Sequence, residues 1–419
     1  MKLSRAVYLI GYTILLFTYQ TSYTQSVVKT MFYNVLNYPT APPVNREVYL
    51  EEIIDTYEPD VFMICELETE AGADEILNKS LNDDTTKFSR APFLPNFSNS
   101  DVELHQILFY NNDKFELLNS QRIINSIRDI NWYTLQFKTE NQDVNPIKLE
   151  IFVAHLKASQ GIDNENKRLE MVEDFIENLS NLDENSYVIF AGDFNLYSSN
   201  EPAYIALGDQ NNAIIMVDPI NRPGDWHSNS SFGDIHTQST RLSSAEFENF
   251  GSGGGLDDRF DFIMMSQNMI SDPVVKYKNG SYKSFGNNQN CYNLRIDDTN
   301  CSGDFSLSLR QALYQMSDHL PVTMELEIDE ALLAIPDFSM QQIGITLDGN
   351  LVEEELNITI NPSGEEIFFD IYNVLGQRLK SFSALNGRKK IDINDLNEGL
   401  YYLKPQGINH KTLKFYKKA

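Results

Sequence analysis

Cysteine is scarce, three in 419 residues, and none stands in a C-x-x-C pair. That excludes a scaffold built on disulfides and a thiolate zinc site. Histidine is also sparse, at six. Positive charge is the larger deficit: 33 Lys and Arg face 60 Asp and Glu, a formal net charge of −27. A body this acidic repels a polyanion when no cation intervenes, which argues against a histone-like or helix-turn-helix DNA binder. It leaves room for an enzyme that meets a phosphate through a bound divalent metal. Beyond the N-terminus no apolar run reaches the ~20 residues that span a bilayer, and no tandem repeat recurs at a fixed period. What is present suffices for packed cores. Hydrophobic residues make up 42% and aromatic residues 11%, so wholesale disorder is excluded. At roughly 100–200 residues per domain the length implies two or three domains.

Lys2 and Arg5 precede an apolar run over 6–19, and Ser22-Tyr23-Thr24 stands before Gln25. A charged start, an apolar middle and small residues near the cut form a secretory signal layout. The competing reading is an uncleaved anchor. The apolar run is short for a span, so we expect a signal peptide over 1–24 and a mature chain starting near Gln25, outside the cytoplasm. Export permits a disulfide between Cys291 and Cys301. Cys65 lies inside the apolar run Val61-Phe62-Met63-Ile64-Cys65 and reads as a buried, unpaired strand residue.

Strand-like runs cover 27–35, 60–65, 107–110, 132–138, 148–154, 187–191, 260–265 and 322–328. Helical spacing of apolar residues covers 47–57, which Pro59 stops, and 167–179. This mixture predicts sheets flanked by helices. Residues 221–256, rich in Gly, Ser and Asn, predict a long surface loop, a place where function collects. The pattern breaks at 331–345, read as a linker. Residues 346–419 are short alternating strands with turn signals such as Leu375-Gly376 and Glu398-Gly399, a small all-β module. Residues 340–419 carry ten Lys/Arg and ten Asp/Glu, so the whole excess of negative charge lies before them.

Several predicted strands end in a residue able to serve a metal or a phosphate. Asn34 follows Met31-Phe32-Tyr33, Glu66 follows the run to Cys65, and His155 follows Ala154. Asp193 and Asn195 follow Gly192, Asp318 and His319 precede Val322, and Asp261 lies in Arg259-Phe260-Asp261-Phe262-Ile263. Sheet rims are where a rigid scaffold positions reactive groups. Singly, each has a plainer reading: Asn34 as a turn residue, Glu66 as part of a solvated face with Glu68 and Glu70, His155 as structural. Their order along the chain is more specific. Phe32-Tyr33-Asn34-Val35-Leu36-Asn37, Pro59-Asp60-Val61 leading to Glu66, Ala154-His155-Leu156-Lys157, Gly192-Asp193-Phe194-Asn195, Arg259–Ile263 and Ser317-Asp318-His319-Leu320-Pro321-Val322 follow one another.

This series resembles the endonuclease/exonuclease/phosphatase superfamily, which includes pancreatic-type deoxyribonucleases, repair endonucleases, bacterial sphingomyelinases and inositol polyphosphate 5-phosphatases. The resemblance covers about 27–328, within a catalytic domain over 25–330. It implies an α/β (α+β) fold, a four-layer α/β sandwich with two mixed sheets. It also implies Mg²⁺ or Mn²⁺ held by Glu66 with Asn34 and Asp318. Asp193 and Asn195 would orient the water and the phosphate. His319, held by Asp261, would be the base or the transition-state stabiliser, with His155 on the leaving-group side. A phosphodiester resists attack because its oxygens are anionic, so the site must supply positive charge and a positioned water. The family often has Tyr-Arg where this chain has Tyr110-Asn111. A phosphate-gripping arginine must then come from elsewhere, and Arg128, Arg241 and Arg259 are the candidates. The insert over 226–255, with His236-Thr237-Gln238, is placed to shape a substrate pocket; His227 and His236 read as loop polar residues rather than ligands.

The tail has its own likeness. Asp370-Ile371-Tyr372-Asn373-Val374-Leu375-Gly376-Gln377, Leu396-Asn397-Glu398-Gly399-Leu400-Tyr401-Tyr402-Leu403 and the basic end 411–418 resemble the C-terminal sorting domain of type IX secretion cargo. A carbohydrate-binding or enzyme-packing β-sandwich is the other reading. Together these readings expect a secreted, Mg²⁺-dependent phosphodiesterase, an extracellular nuclease whose partners are nucleic acid and the type IX machinery. The alternatives are a sphingomyelinase or inositol-phosphate-type phosphatase on the same fold, and, from another class, a non-catalytic cell-surface binding protein.

Overall fold

The computed structural model describes residues 26–83, 86–97, 104–139, 142, 146–329, 344–361, 367–385, 387–405 and 412–418. The expected signal peptide lies outside the described residues, as does the expected linker except for its last two positions. The chain divides into two compact units between Leu333 and Ala334.

The strands of the first unit are β1 (Ser26–Tyr38), β2 (Val61–Leu67), β3 (Phe88–Arg90), β4 (His105–Asn111), β5 (Phe115–Ile123), β6 (Ile130–Phe137), β7 (Lys148–His155), β8 (Tyr187–Asp193), β9 (Met216–Val217), β10 (Asp261–Ser266), β11 (Val275–Tyr277), β12 (Lys283–Ser284) and β13 (Val322–Ile328). The helices are α1 (Glu47–Tyr57), α2 (Glu70–Glu75), α3 (Ile162–Leu179), α4 (Pro202–Leu207) and α5 (Leu307–Met316). One sheet runs β11-β13-β1-β2-β4-β3, with β12 on β13; the other runs β5-β6-β7-β8-β10-β9. Each is mixed in the same way. A central parallel pair, β1–β2 or β7–β8, is flanked by antiparallel neighbours.

Alternation sorts the side chains into layers. On β1, Met31, Tyr33 and Val35 pack outward against Leu50, Ile53 and Ile54 of α1 and Leu309, Leu313 and Met316 of α5. Phe32 points the other way, into a core shared with Ile151 and Val153 of β7 and Ile189 and Ala191 of β8. On β8, Val188 and Phe190 face outward to Met171, Val172, Phe175 and Leu179 of α3. The order is helices, sheet, sheet, helices, the four-layer sandwich expected. Strand segments buried on both faces are largely apolar, which is why Val61–Cys65 of β2, Ile151–Ala154 of β7 and Val188–Ala191 of β8 read as short hydrophobic runs. Helix α3 begins five residues before the periodic stretch, just after Gly161, because its first turn is largely solvent-exposed and carries Asp163 and Glu165 rather than apolar signal. Cys291 and Cys301 are disulfide-bonded, and Cys65 is a buried free thiol between the sheets.

The second unit holds strands β14 (Gly344–Leu347), β15 (Leu351–Val352), β16 (Glu355–Asn361), β17 (Ile367–Asn373), β18 (Arg378–Ala384), β19 (Gly387–Asp392), β20 (Gly399–Pro405) and β21 (Leu413–Lys417). A sheet β14-β16-β19 and a sheet β15-β21-β20-β17-β18 enclose one core that includes Leu356, Ile358, Phe369, Ile371, Leu403 and Phe415. Among the described residues no helix is long and apolar enough to cross a membrane.

Candidate active site

The parallel pairs bring their C-terminal ends to one rim. Asn34 is the last β1 residue paired with β2 before the register shifts, Glu66 stands near the end of β2, and His155 and Asp193 close β7 and β8 in register. Asp261 opens the antiparallel β10 opposite Asp193, and Asp318 and His319 lead into β13. Gly192 makes the approach of β7 and β8 possible, since a Cβ there would collide with the Ala154 carbonyl. Glu66 has left-handed backbone, φ 59°, where the pairing of β2 with both neighbours shifts register. A non-glycine residue rarely adopts that conformation. The irregularity re-aims one side chain out of the alternating pattern, a common role of bulges beside active sites.

Asn34 is the hub. Its Nδ2 donates to Glu66 Oε1 at 2.8 Å and to Asp193 Oδ2 at 3.0 Å, and lies 3.4 Å from His319 Nε2. Its Oδ1 accepts the Leu36 N–H. The geometry thus has Asn34 joining two carboxylates through its amide nitrogen. Glu66 Oε2 accepts the Asn37 N–H at 3.2 Å. His155 Nε2 lies 3.5 Å from Asp193 Oδ2 and 3.9 Å from Glu66 Oε1. His319 Nδ1 and Asp261 Oδ2 are 2.8 Å apart. Ser317 Oγ ties the segment leading into β13 to β1 by donating to the Asn34 carbonyl while accepting the His319 N–H. Asn195 sits beside Asp193, its N–H donating to Asp193 Oδ1 at 3.1 Å. Asp318 stands apart from the carboxylate–histidine groups. Its Oδ2 accepts from Gln238 Nε2 at 3.0 Å and from the Ser252 N–H at 2.7 Å.

Burial sets the electrostatics. It pushes Glu66 above the usual carboxylate range, with the Asp318 carboxylate adding to it. Burial likewise pushes Asp193 up to about 7, helped by Asp261 and Glu66 and opposed by His319 and Asn34. His155 is driven well below the usual histidine value, first by burial and then by the cations Arg128, His319 and Lys157. It is therefore neutral near pH 7 and can donate a hydrogen bond, but it is a poor source of a whole proton. In His319 burial opposes the charge, yet Asp261, Asp318 and Asp193 together hold its pKa well above 6.5. The ligand atoms of Glu66, His155 and Asp193 lie within 4.8 Å of one another, as do those of Asp193, Asp261 and His319. Crowded, buried carboxylates with raised pKa values fit a divalent cation, which would relieve their mutual repulsion.

The three candidate arginines separate. Arg128 belongs to the site: its Nε donates to the His155 carbonyl at 2.8 Å and its Nη2 to the Leu156 carbonyl, and its charge acts on Glu66 and Asp193. Arg241 is fully buried, donates to the Tyr314 carbonyl and stacks 3.4 Å above the Phe247 ring. Arg259 is fully buried as well, bidentate to Asp218 at 2.8 and 2.9 Å and stacked on Phe262. Both guanidinium groups are buried and held by internal partners, so neither is exposed to meet a phosphate, a correction to the sequence expectation. A loop arginine in a sequence does not reveal which way it points. Arg259→Ala should therefore cost stability, about 3–5 kcal/mol for an orphaned buried carboxylate. A urea unfolding curve reads this.

His227 and His236 are outside the cluster, as expected. His227 pairs with Asp258 at 2.7 Å and His236 with the Trp226 carbonyl. The sequence reading gave the insert over 226–255, with Thr237 and Gln238, a general pocket-shaping role, but it gave none to Gly251 or Ser252, which also touch the site. Thr237 Oγ1 accepts the N–H groups of Phe260 and Asp261. Polar residues in a Gly/Ser-rich loop carry no periodic signal that would have singled them out.

The fold and rim thus define a four-layer α/β sandwich with a buried cluster of carboxylates and histidines, joined in one chain to a β-sandwich. Residues 350–418 match a family described as the secretion system C-terminal sorting domain. The match makes the C-terminal part of the second unit a sorting domain, of the kind that indicates export by type IX secretion to the cell surface or outside. No curated protein matches the chain significantly. Among solved structures, the chain is similar to the catalytic domain of human Nocturnin with bound sulfate, at 18% identity, 72% coverage of this chain, 94% of that one and a TM-score of 0.46. It is similar to D. rerio TDP2 complexed with single strand DNA product, at 16% identity, coverage of 72% and 99%, and a TM-score of 0.47. It is also similar to a Bacteroides thetaiotaomicron mannosyl-6-phosphatase, at 16% identity, coverage of 71% and 99%, and a TM-score of 0.44.

Proposed function

We propose that the first unit is a divalent-cation-dependent phosphoesterase that cleaves phosphodiesters, acting outside the cell as a nuclease. The observation that carries the reading is the convergence of Glu66, Asn34, His155, Asp193, Asp261 and His319 from two facing sheets onto one rim. A structural role would not gather so many titratable groups where burial raises the cost of each.

Glu66, with His155 and Asp193 nearby, would hold Mg²⁺ or Mn²⁺. The cation supplies charge to a phosphoryl oxygen that developing negative charge makes more basic. Asp193, with a pKa pushed to about 7, is a base poised near neutral pH. It would take a proton from water as the new P–O bond forms, while the bond to the leaving oxygen breaks and that oxygen leaves as an alkoxide that takes its proton from solvent. Asn195 fixes the Asp193 carboxylate through its N–H. His319, cationic and oriented by Asp261, stabilises the phosphoryl oxygens rather than serving as base. Neutral His155 hydrogen-bonds on the opposite side. Arg128, partly exposed beside them, is the guanidinium placed to meet a phosphate. The −27 charge leaves few other cations for a nucleic-acid backbone, so binding should depend on the divalent cation and show low sequence preference.

The test is turnover of plasmid DNA, RNA, bis(p-nitrophenyl) phosphate, sphingomyelin and an inositol polyphosphate at equal Mg²⁺, each repeated in EDTA. The expected result is cation-dependent cleavage of the nucleic acids and of the model diester. Turnover of the lipid or the inositol compound alone would overturn the nuclease assignment and leave the phosphoesterase.

A further inference from the structure

The insert over 226–255 does more than surround the rim. Residues 237–241 form an extended strap between two chain segments. Gln238 exchanges backbone hydrogen bonds with Asp258, the Leu320 N–H reaches the Thr237 carbonyl, and the Thr240 N–H reaches the Asp318 carbonyl. Isolated bridges pair Gln238 with both Asp258 and His319. Every residue from Ile235 to Arg241 is buried except Gln238, which is partly open to solvent. Its carboxamide lies 2.7 Å from His319 Nε2 and 3.0 Å from Asp318 Oδ2. Behind it, Gly251, with φ 77°, packs so closely on Asp318 that a Cβ would fall 2.8 Å from the carboxyl carbon, and the next N–H, that of Ser252, donates to the same oxygen. The strap therefore ends in one polar side chain, braced on both sides, at the ring nitrogen of His319 that Asp261 leaves free.

We infer that Gln238 is a substrate-positioning residue: in the resting site its carboxamide holds His319 Nε2, and on binding it yields that nitrogen to a phosphoryl oxygen and donates to the same oxygen. The argument holds for either protonation of the ring. A neutral Nε2 accepts from the amide N–H groups, which also serve Asp318. A protonated Nε2 donates to the amide oxygen after a half-turn of the carboxamide, which gives up the amide's bond to Asp318. In both states the amide occupies the one position at which His319 can meet a substrate. An amide suits this place. A lysine would form a fixed ion pair with Asp318, and a carboxylate would repel it. When the phosphoryl group arrives, the carboxamide is already within reach and aimed, so it acts as a preorganised donor toward developing negative charge. The inference rests on the phosphoesterase reading of the rim.

The test uses the whole first unit with the tail attached, in two parts. The ¹⁵N resonance of His319 Nε2 is recorded in the metal-free wild type and in Gln238→Met, which keeps shape without hydrogen bonding. It should move in the variant while the near-UV circular dichroism stays the same. The side-chain amide resonance of Gln238 in the wild type should then shift on titration with inorganic phosphate and Mg²⁺. Kinetically, Gln238→Met should lower kcat/KM on the order of 10²-fold, mostly in kcat, as expected for loss of one transition-state donor. Gln238→Glu should fall at least as far, which keeps the test usable if the methionine variant misfolds. An amide resonance indifferent to saturating phosphate, or variants within twofold of wild type in kcat/KM, would overturn the inference. A wild type that turns over no phosphoester sinks the phosphoesterase reading instead, and the metal-free ring resonance still reports whether Gln238 holds His319.

Discussion

Glu66→Gln is expected to reduce turnover by roughly 10³-fold or more while leaving the metal-free protein as stable as wild type or more so. Removing one ligand of the cation forfeits several kcal/mol of transition-state charge stabilisation, at about 1.4 kcal/mol per factor of ten. The shape survives the change. A Gln side chain can still accept the Asn34 Nδ2–H that Glu66 Oε1 now receives, and gives up only the longer 3.2 Å bond that Oε2 accepts from the Asn37 N–H. The stability half follows from the direction of the pKa shift. Burial and Asp318 raise the Glu66 pKa in the folded chain above its unfolded value. At pH 7 the ionised carboxylate is therefore worse off folded than unfolded, and that penalty grows as pH rises past the unfolded value. A neutral amide does not carry it. Mg²⁺ should raise the thermal midpoint of the wild type and fail to raise that of the variant, because only a folded state that binds the ion gains from it. Full activity in EDTA, or equal Mg²⁺ stabilisation of both proteins, would remove Glu66 from the metal site.

How much of this was legible in the sequence depends on the physical origin of each feature. The strands buried on both faces were plain, because two apolar layers force a continuous run, as in Val61–Ile64 and Val188–Ala191. Helix α1 was plain because Pro59 and a left-handed Glu58 end it. Short edge pieces such as β9, β11 and β12 carry two or three residues each and no period. Helix α5 was missed inside a polar stretch, although Ser306 caps it by accepting the Leu309 N–H. The rim residues stood out by standing at the ends of strong strands. What the sequence could not supply was direction. Nothing in the string separates Arg128, which stays at the rim, from Arg259, which folds back onto Asp218. Nor does it distinguish His155, which burial and Arg128 keep neutral, from His319, which three carboxylates keep charged. Those differences arise from long-range packing. The role of Gln238 comes from the same source, since its partner His319 lies 81 positions further along the chain.

His319→Ala and Asp261→Asn should each lower kcat, and the double variant should be no slower than His319→Ala alone. Asp261 is fully buried, and its described polar contact at the rim is the 2.8 Å bond to His319 Nδ1. Its direct side-chain contact is with the ring, so its main effect should pass through His319. A positioned charged or acid–base group contributes on the order of 10²–10⁴ in rate, and the aspartate's share is contained within that of the histidine. The pH profile separates this dyad from two independent contributors. With Asp261 present, the pKa of His319 is held well above the ordinary histidine value. The ion pair therefore stabilises the fold fully below the unfolded histidine pKa, and that contribution is lost as pH rises through the folded one. Activity that needs the imidazolium is lost over the same alkaline range. Asp261→Asn removes one of the charges that sustain the cation, so the alkaline limb of kcat should move to lower pH. In His319→Ala that limb should vanish. Additive losses in the double variant, or an alkaline limb unmoved by Asp261→Asn, would show that the two residues act separately and that the rim carries its positive charge elsewhere, with Arg128 the nearest alternative.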